Sequence, residues 1–198
     1  MTRPVLLVAA LMVWATATHP ALAQRAAPAE WGLPALMAAL HQVRTSTARF
    51  VETKYLRLLN QAQTSTGRLT YVAPDWFQKE TLEPIASRLT IHGGRLTIER
   101  QGERTREFSL SDYPEFAALT EGVQATLGGD LSELTRDFTV RLDGNPNGWL
   151  LTLEPRGAKP RGLVASIRIR GERTAILEIE TTEPDGDRTD TIVTPETK

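Results

Sequence analysis

Apolar residues recur along this chain with two different periods. In WGLPALMAALHQVR (31–44), Leu33, Leu36, Met37, Leu40 and Val43 fall at helical spacing, which predicts an amphipathic helix of about three turns. Beyond it the period drops to two. Strands are predicted at 47–56, 67–72, 76–83, 87–93, 95–100 and 105–110, and again at 138–144, 148–155, 163–171, 174–182 and 187–193. Between the two sets, DYPEFAALTEGVQATLGGD (112–130) returns to helical spacing through Phe116, Leu119, Val123 and Leu127, with Gly128-Gly129 as its stop. LSELTRD adds a short helical turn.

Hairpin signals join the strands. HGGR (92–95), RQGER (100–104), DGNPNG (143–148), RGER (170–173) and PDGD (184–187) carry the Gly, Asn, Asp and Pro that tight turns require. The expectation is a meander of about eleven strands, interrupted once by a helical insert and without a second domain. Its apolar faces are Leu69/Tyr71, Leu89/Ile91, Leu96/Ile98, Phe108/Leu110, Phe138/Val140/Leu142, Trp149/Leu151/Leu153, Ile167/Ile169 and Leu177/Ile179, with Thr, Arg, Glu and Ser opposite them. One dry face and one wet face is the signature of an antiparallel sheet, and a long one curls toward a barrel. Periodicity does not measure volume: the interior is either filled by its own side chains or left as a ligand cavity.

The first residues stand apart. Arg3, the apolar run VLLVAALMVW (5–14) and the small residues of Ala21-Leu22-Ala23 predict a cleaved secretory signal at 1–23; the alternative is an uncleaved anchor. Residues 24–30 are expected to be a flexible lead-in, and 31–198 a single domain. The chain contains no cysteine, so disulfides cannot stabilise it and a hydrophobic core must. Net charge is −1, or −2 once Arg3 leaves with the signal, and the charges are interspersed. That balance excludes the basic stripe of a nucleic-acid binder. The predicted product is a soluble monomer in the space to which it is exported, without stable membrane insertion.

Few residues offer chemistry. His41 beside the helix stripe and His92 at a glycine turn make a poor metal set, and no cofactor motif occurs. DGDRTD (185–190) has three carboxylates, but their spacing fails the calcium-loop pattern, and Pro184-Asp185-Gly186-Asp187 is expected to be a β-turn. No nucleophile elbow or phosphate loop is present, so neither a catalytic nor a metal site is assigned.

The order of ARFVETKYL, GRLTYVAPDWF, LTIHGGRLTIER, the FSLSDYPEFAALTEGVQATLGGD insert, GWLLTLEP and AILEIETTEPDGDRT resembles the LolA-like family of periplasmic outer-membrane lipoprotein carriers, its divergent LolA-related branch in particular. The likeness runs over about residues 31–194. It implies a mainly β fold: a half-open, strongly curved antiparallel barrel whose apolar concave face is plugged by the first helix and the insert. The implied acyl-chain lining is Phe50, Leu69, Tyr71, Leu89, Ile91, Leu96, Ile98, Phe108, Leu110, Phe138, Trp149, Leu151 and Ile167. The implied lid is Leu36, Met37 and Leu40 with Phe116, Leu119, Val123 and Leu127. Each buried methylene is worth about 0.8 kcal/mol, so acyl burial without covalent chemistry suffices for binding. The implied partners are lipoprotein acyl chains or another lipid, an inner-membrane exporter and an outer-membrane acceptor. A sensing module of the same fold, docking on a regulator or exporter, is the alternative. Such carriers place an arginine before the proline of the second hairpin, where it bonds lid backbone; here that residue is Ala73, which has no donor side chain. The latch is then absent or built elsewhere.

Overall fold

The computed structural model of the protein describes residues 31–58, 61–112, 124–157 and 164–196. Helix α1 (Leu33–His41) leads into β1 (Thr45–Tyr55), β2 (Gln63–Val72), β3 (Trp76–Glu83), β4 (Ser87–His92), β5 (Arg95–Arg100) and β6 (Arg106–Ser109). A 3-10 turn (Leu110–Asp112) follows, and residues 124–128 are helical. Helix α2 (Leu131–Asp137) then precedes β7 (Phe138–Asn145), β8 (Gly148–Pro155), β9 (Ser166–Glu172), β10 (Ala175–Thr182) and β11 (Arg188–Pro195).

All eleven strands join one curved, unclosed antiparallel sheet, but they do not cross it in chain order. The spatial order is β6-β5-β4-β3-β2-β1-β11-β10-β9-β8-β7. Two meanders meet where β1 pairs with β11, Phe50 lying opposite Val193 and Ala48 opposite Pro195. Hairpin turns specify neighbours within each meander. The join depends instead on long-range burial, which a single-chain meander reading misses. Strands β6 and β7 are left as the free edges.

Three local departures have physical causes. Strand β2 starts at Gln63, four residues before its expected start, because QTST pairs along β1 as far as Lys54 although it supplies no apolar signal. The strand expected to end at Leu110 stops at Ser109, and Leu110 is buried in the 3-10 turn. In β10 the register slips between Ile176 and Glu178, so Leu177 is thrown onto the exposed surface and Ile176 takes its place against the core.

Packing divides the sheet. Leu36, Met37 and Leu40 of α1 and Leu134 of α2 form one sealed cluster with Phe138, Trp149, Leu151, Leu153, Ile167 and Ile169 from β7–β9. The close approach depends on Gly129, at φ +67°. A Cβ there would lie 2.1 Å from the Met37 carbonyl oxygen and 2.5 Å from the His41 nitrogen. On the convex face, cross-strand ion pairs such as Arg168–Glu180 and Arg170–Glu178 account for much of the interspersed charge. Among the described residues, no helix is long and apolar enough to cross a membrane.

Candidate functional site

The register fixes which side chains share the inner face of the other meander. One row runs Tyr71, Phe77, Ile91, Leu96 and Phe108, through successive pairings from β2 to β6. The next runs Ala48, Leu69, Lys79, Leu89 and Ile98. A third places Phe50 over Gly67, beside Thr81. Gly67 is required here, since a Cβ would lie 2.8 Å from the Phe50 ring and 1.9 Å from the Glu80 carbonyl oxygen.

These rows are not packed like the sealed cluster. Leu69, Phe77, Leu89, Leu96, Ile98 and Phe108 are only half-buried, although each points to the apolar side of its strand. Phe50, Tyr71, Ile91 and Leu110 are buried without belonging to the α1 cluster. Of the remaining residues singled out from sequence, Leu36, Met37, Leu40, Phe138, Trp149, Leu151 and Ile167 all lie in that cluster. Leu127 is half-buried beside the buried Ala125 and Thr126, while Phe116, Leu119 and Val123 lie outside the described residues. In the Trp76-Phe77 pair it is Phe77 that faces inward, opposite Tyr71 and Ile91.

Sequence reasoning placed glutamate on the wet face, and at β1 that fails. Glu52 follows Phe50 at the two-residue spacing and turns inward, as does Lys79 between Leu69 and Leu89. The Lys79 ammonium donates to Glu52 Oε2 at 2.5 Å and stands 5.0 Å from the Phe50 ring centroid. The hydroxyls of Thr191 (3.3 Å) and Ser65 (3.5 Å) donate to the same carboxylate. The inward turn of Glu52, though not its partner, was detectable in principle: in ARFVETK the residues at positions 48, 50, 52 and 54 share one face, and two of them are charged.

At the rim, Ala73-Pro74-Asp75 borders a cleft of roughly 510 Å³ shared with His41, Arg44, Tyr71, Gln124, Ala125, Gly128–Leu131 and Glu133. Ala73 contributes only its backbone N–H, which donates to the Arg44 carbonyl at 2.8 Å. The bond that ties the helical segment to this rim comes from the other side: Gln124 Nε2 donates to the Asp75 carbonyl at 2.7 Å. His41 Nδ1 lies 2.8 Å from the Gly128 carbonyl, and the Tyr71 hydroxyl donates to the Pro74 carbonyl at 3.2 Å. Burial, then the nearby Asp75 carboxylate, push the Tyr71 phenol above its ordinary pKa, with Arg44 opposing them. It remains a neutral donor at physiological pH.

The acidic turn is held by its own chain. Glu183, Asp185 and Asp187 have carboxylate oxygens within 4.8 Å of one another. Asp187 Oδ1 accepts the Arg57 backbone N–H, Asp185 Oδ1 accepts the Asp187 backbone N–H, and Lys54 pairs with Glu183. Gly186 N–H donates to the Glu183 carbonyl at 3.0 Å, so the segment is a turn clasped to the end of β1.

Several solved structures are weakly similar to this chain. A LolA superfamily protein from Nitrosomonas europaea has 8% identity and a TM-score of 0.42, over 83% of this chain and 92% of that one. A DUF1329 family protein from Desulfovibrio piger has 11% identity and a TM-score of 0.44, over 82% and 88%. The Pseudomonas aeruginosa MucA/MucB complex has 15% identity and a TM-score of 0.43, over 81% and 53%. No curated protein matches the sequence significantly. The sequence family described as outer membrane lipoprotein carrier protein LolA-like matches residues 21–197, nearly the full length, and the chain belongs to that family.

Proposed function

We propose that the protein is a periplasmic carrier that takes the acyl chains of a lipoprotein or other lipid onto the inner face of β2–β6 and moves them between membranes. One observation carries the reading: helices α1 and α2 seal the β7–β9 half of the sheet, whereas Leu69, Phe77, Leu89, Leu96, Ile98 and Phe108 on the other half are only half-buried. Half-exposed leucine, isoleucine and phenylalanine on a concave face gain free energy from any apolar occupant. A lining drawn only from β1–β6 follows, with Trp149, Leu151, Phe138 and Ile167 as the scaffold beneath α1. The helical segment serves as a lid, and its hold on the rim passes from the arginine missing at Ala73 to Gln124.

Leu96→Glu tests this, because Leu96 sits between Ile91 and Phe108 with no cation opposite it. The variant should remain folded by circular dichroism and lose uptake of a fluorescent fatty acid, because a carboxylate on the apolar wall is expensive to bury. Undiminished uptake would sink the assignment of this face. An unaltered protein that takes up no fatty acid or lipoprotein acyl chain, yet captures a regulator, would favour the sensing role.

A further inference from the structure

Lys79 and Glu52 are an ion pair on the inner face, next to its apolar rows. Their side chains retain only 27% and 22% exposure, and Lys79 is flanked on its row by Leu69 and Leu89. Folding gives little reason for such a pair, since apolar residues of similar volume generally serve a core as well or better. Among the described residues, Glu52 is the one hydrogen-bond partner of the Lys79 ammonium, which has three donors. Glu52, by contrast, is over-provided: it holds the Ser65 and Thr191 hydroxyls as well as the ammonium. The carboxylate therefore stays hydrogen-bonded if the ammonium turns away.

We propose that Lys79 is the head-group anchor of the binding face and that the preferred occupant is a long-chain free carboxylic acid. This inference rests on the acyl-chain reading above and narrows its cargo. The two spare N–H groups match the two oxygens of one carboxylate, while the acyl chain runs over Leu89, Leu96 and Ile98 toward the free edge. A phosphate dianion calls for more positive charge than this site supplies. The nearby inward-facing cations are already paired: Lys54, two residues beyond Glu52, with Glu183, and Arg106, three strands and roughly 14 Å away, with Glu103. An acyl chain whose carboxyl is esterified or amidated has no carboxylate at its own end and leaves the ammonium on Glu52. The site thus discriminates a free acid from a lipid whose carboxyl is blocked.

The test compares cis-parinaric acid with its methyl ester by fluorescence titration at pH 7.5, on the unaltered chain and on variants. The acid should bind at least about tenfold more tightly than the ester, one charge-assisted pair being worth that factor. The double variant Glu52→Gln/Lys79→Met, which leaves neither charge without its partner, should bring the ratio of acid to ester affinity down to about one. Glu52→Gln alone should raise the acid's affinity several-fold by removing the internal competitor. A structural role for the pair predicts instead that every variant weakens both probes alike. Equal binding of acid and ester to the unaltered chain overturns the anchor while leaving the acyl-chain reading intact, and needs no variant to fold. Binding of neither probe overturns both.

Discussion

Leu151→Ala and Leu96→Ala delete the same atoms from the two halves of one sheet, and the structure assigns them opposite consequences. Leu151 is fully buried in the cluster with Leu36, Met37 and Phe138. Truncation there loses the transfer free energy and leaves a cavity, for a cost of about 3 kcal/mol. For a domain of this size that corresponds to a fall in Tm of roughly 6–12 °C. Leu96 already shares its surface with solvent, so its loss costs about 1 kcal/mol and leaves no closed cavity. Ligand affinity should divide the other way. Leu96→Ala removes part of the proposed wall and should weaken a fluorescent fatty acid about fivefold. Leu151→Ala, titrated well below its melting point, should bind within about twofold of the unaltered protein, since its side chain faces α1. Calorimetry and fluorescence titration on the same samples supply both numbers. Equal losses of Tm, or a larger loss of affinity for Leu151→Ala, would refute the division into a sealed half and a binding half.

Two further outcomes follow from single hydrogen bonds. Asp130 caps α2 by accepting the Glu133 backbone N–H at 3.0 Å, and that bond, then the Ser132 hydroxyl, hold its carboxyl below the ordinary aspartate range. A depressed folded pKa stabilises above the unfolded value and is lost as pH falls through the folded one. Asp130→Ala should therefore cost about 1 kcal/mol at pH 7, with the gap to the unaltered protein shrinking in strong acid; a pH-independent gap in thermal melts would contradict this. Gln124→Ala removes the side-chain donor to the Asp75 carbonyl and should speed ligand release about fivefold in stopped-flow displacement with little change in Tm. An unchanged release rate would mean that the lid is held elsewhere.

The elements were legible in the chain because the alternation is strong and the turns are well marked. His92-Gly93-Gly94-Arg95 and Asn145-Pro146-Asn147-Gly148 close hairpins where their residue types require. Leu177 was misplaced because a bulge inserts a residue without leaving a mark in the pattern of polarity. The polar start of β2 was missed because hydrogen bonding to β1, rather than burial, holds it. The inner face was harder. Apolar spacing marked Leu69, Leu89 and Ile98, but the same spacing marked Leu151 and Ile167, and only packing separates a wall that α1 covers from one it does not. Glu52 and Lys79 escaped because they sit 27 residues apart, and their pairing exists only once β1, β2 and β3 are in register.

The meeting of β1 with β11 has a consequence for a chain that is synthesised from its amino end. Thr191 reaches Glu52 across 139 residues. The length-dependent part of closing such a loop costs about 4 kcal/mol, which local hairpins avoid. Strands β1–β6 can pair as they emerge, but the outer side of β1 has no partner until the last strand arrives. Until then the sheet has an open seam at its centre, displaying the backbone groups of Phe50 and Val51 that Val193 and Ile192 later pair with. A nascent or clipped molecule lacking β11 is consequently two half-sheets with two sticky inner edges, poised to pair with another copy. The final strand acts as the fastener of the whole molecule, and the interval before it docks is when this protein most needs a chaperone.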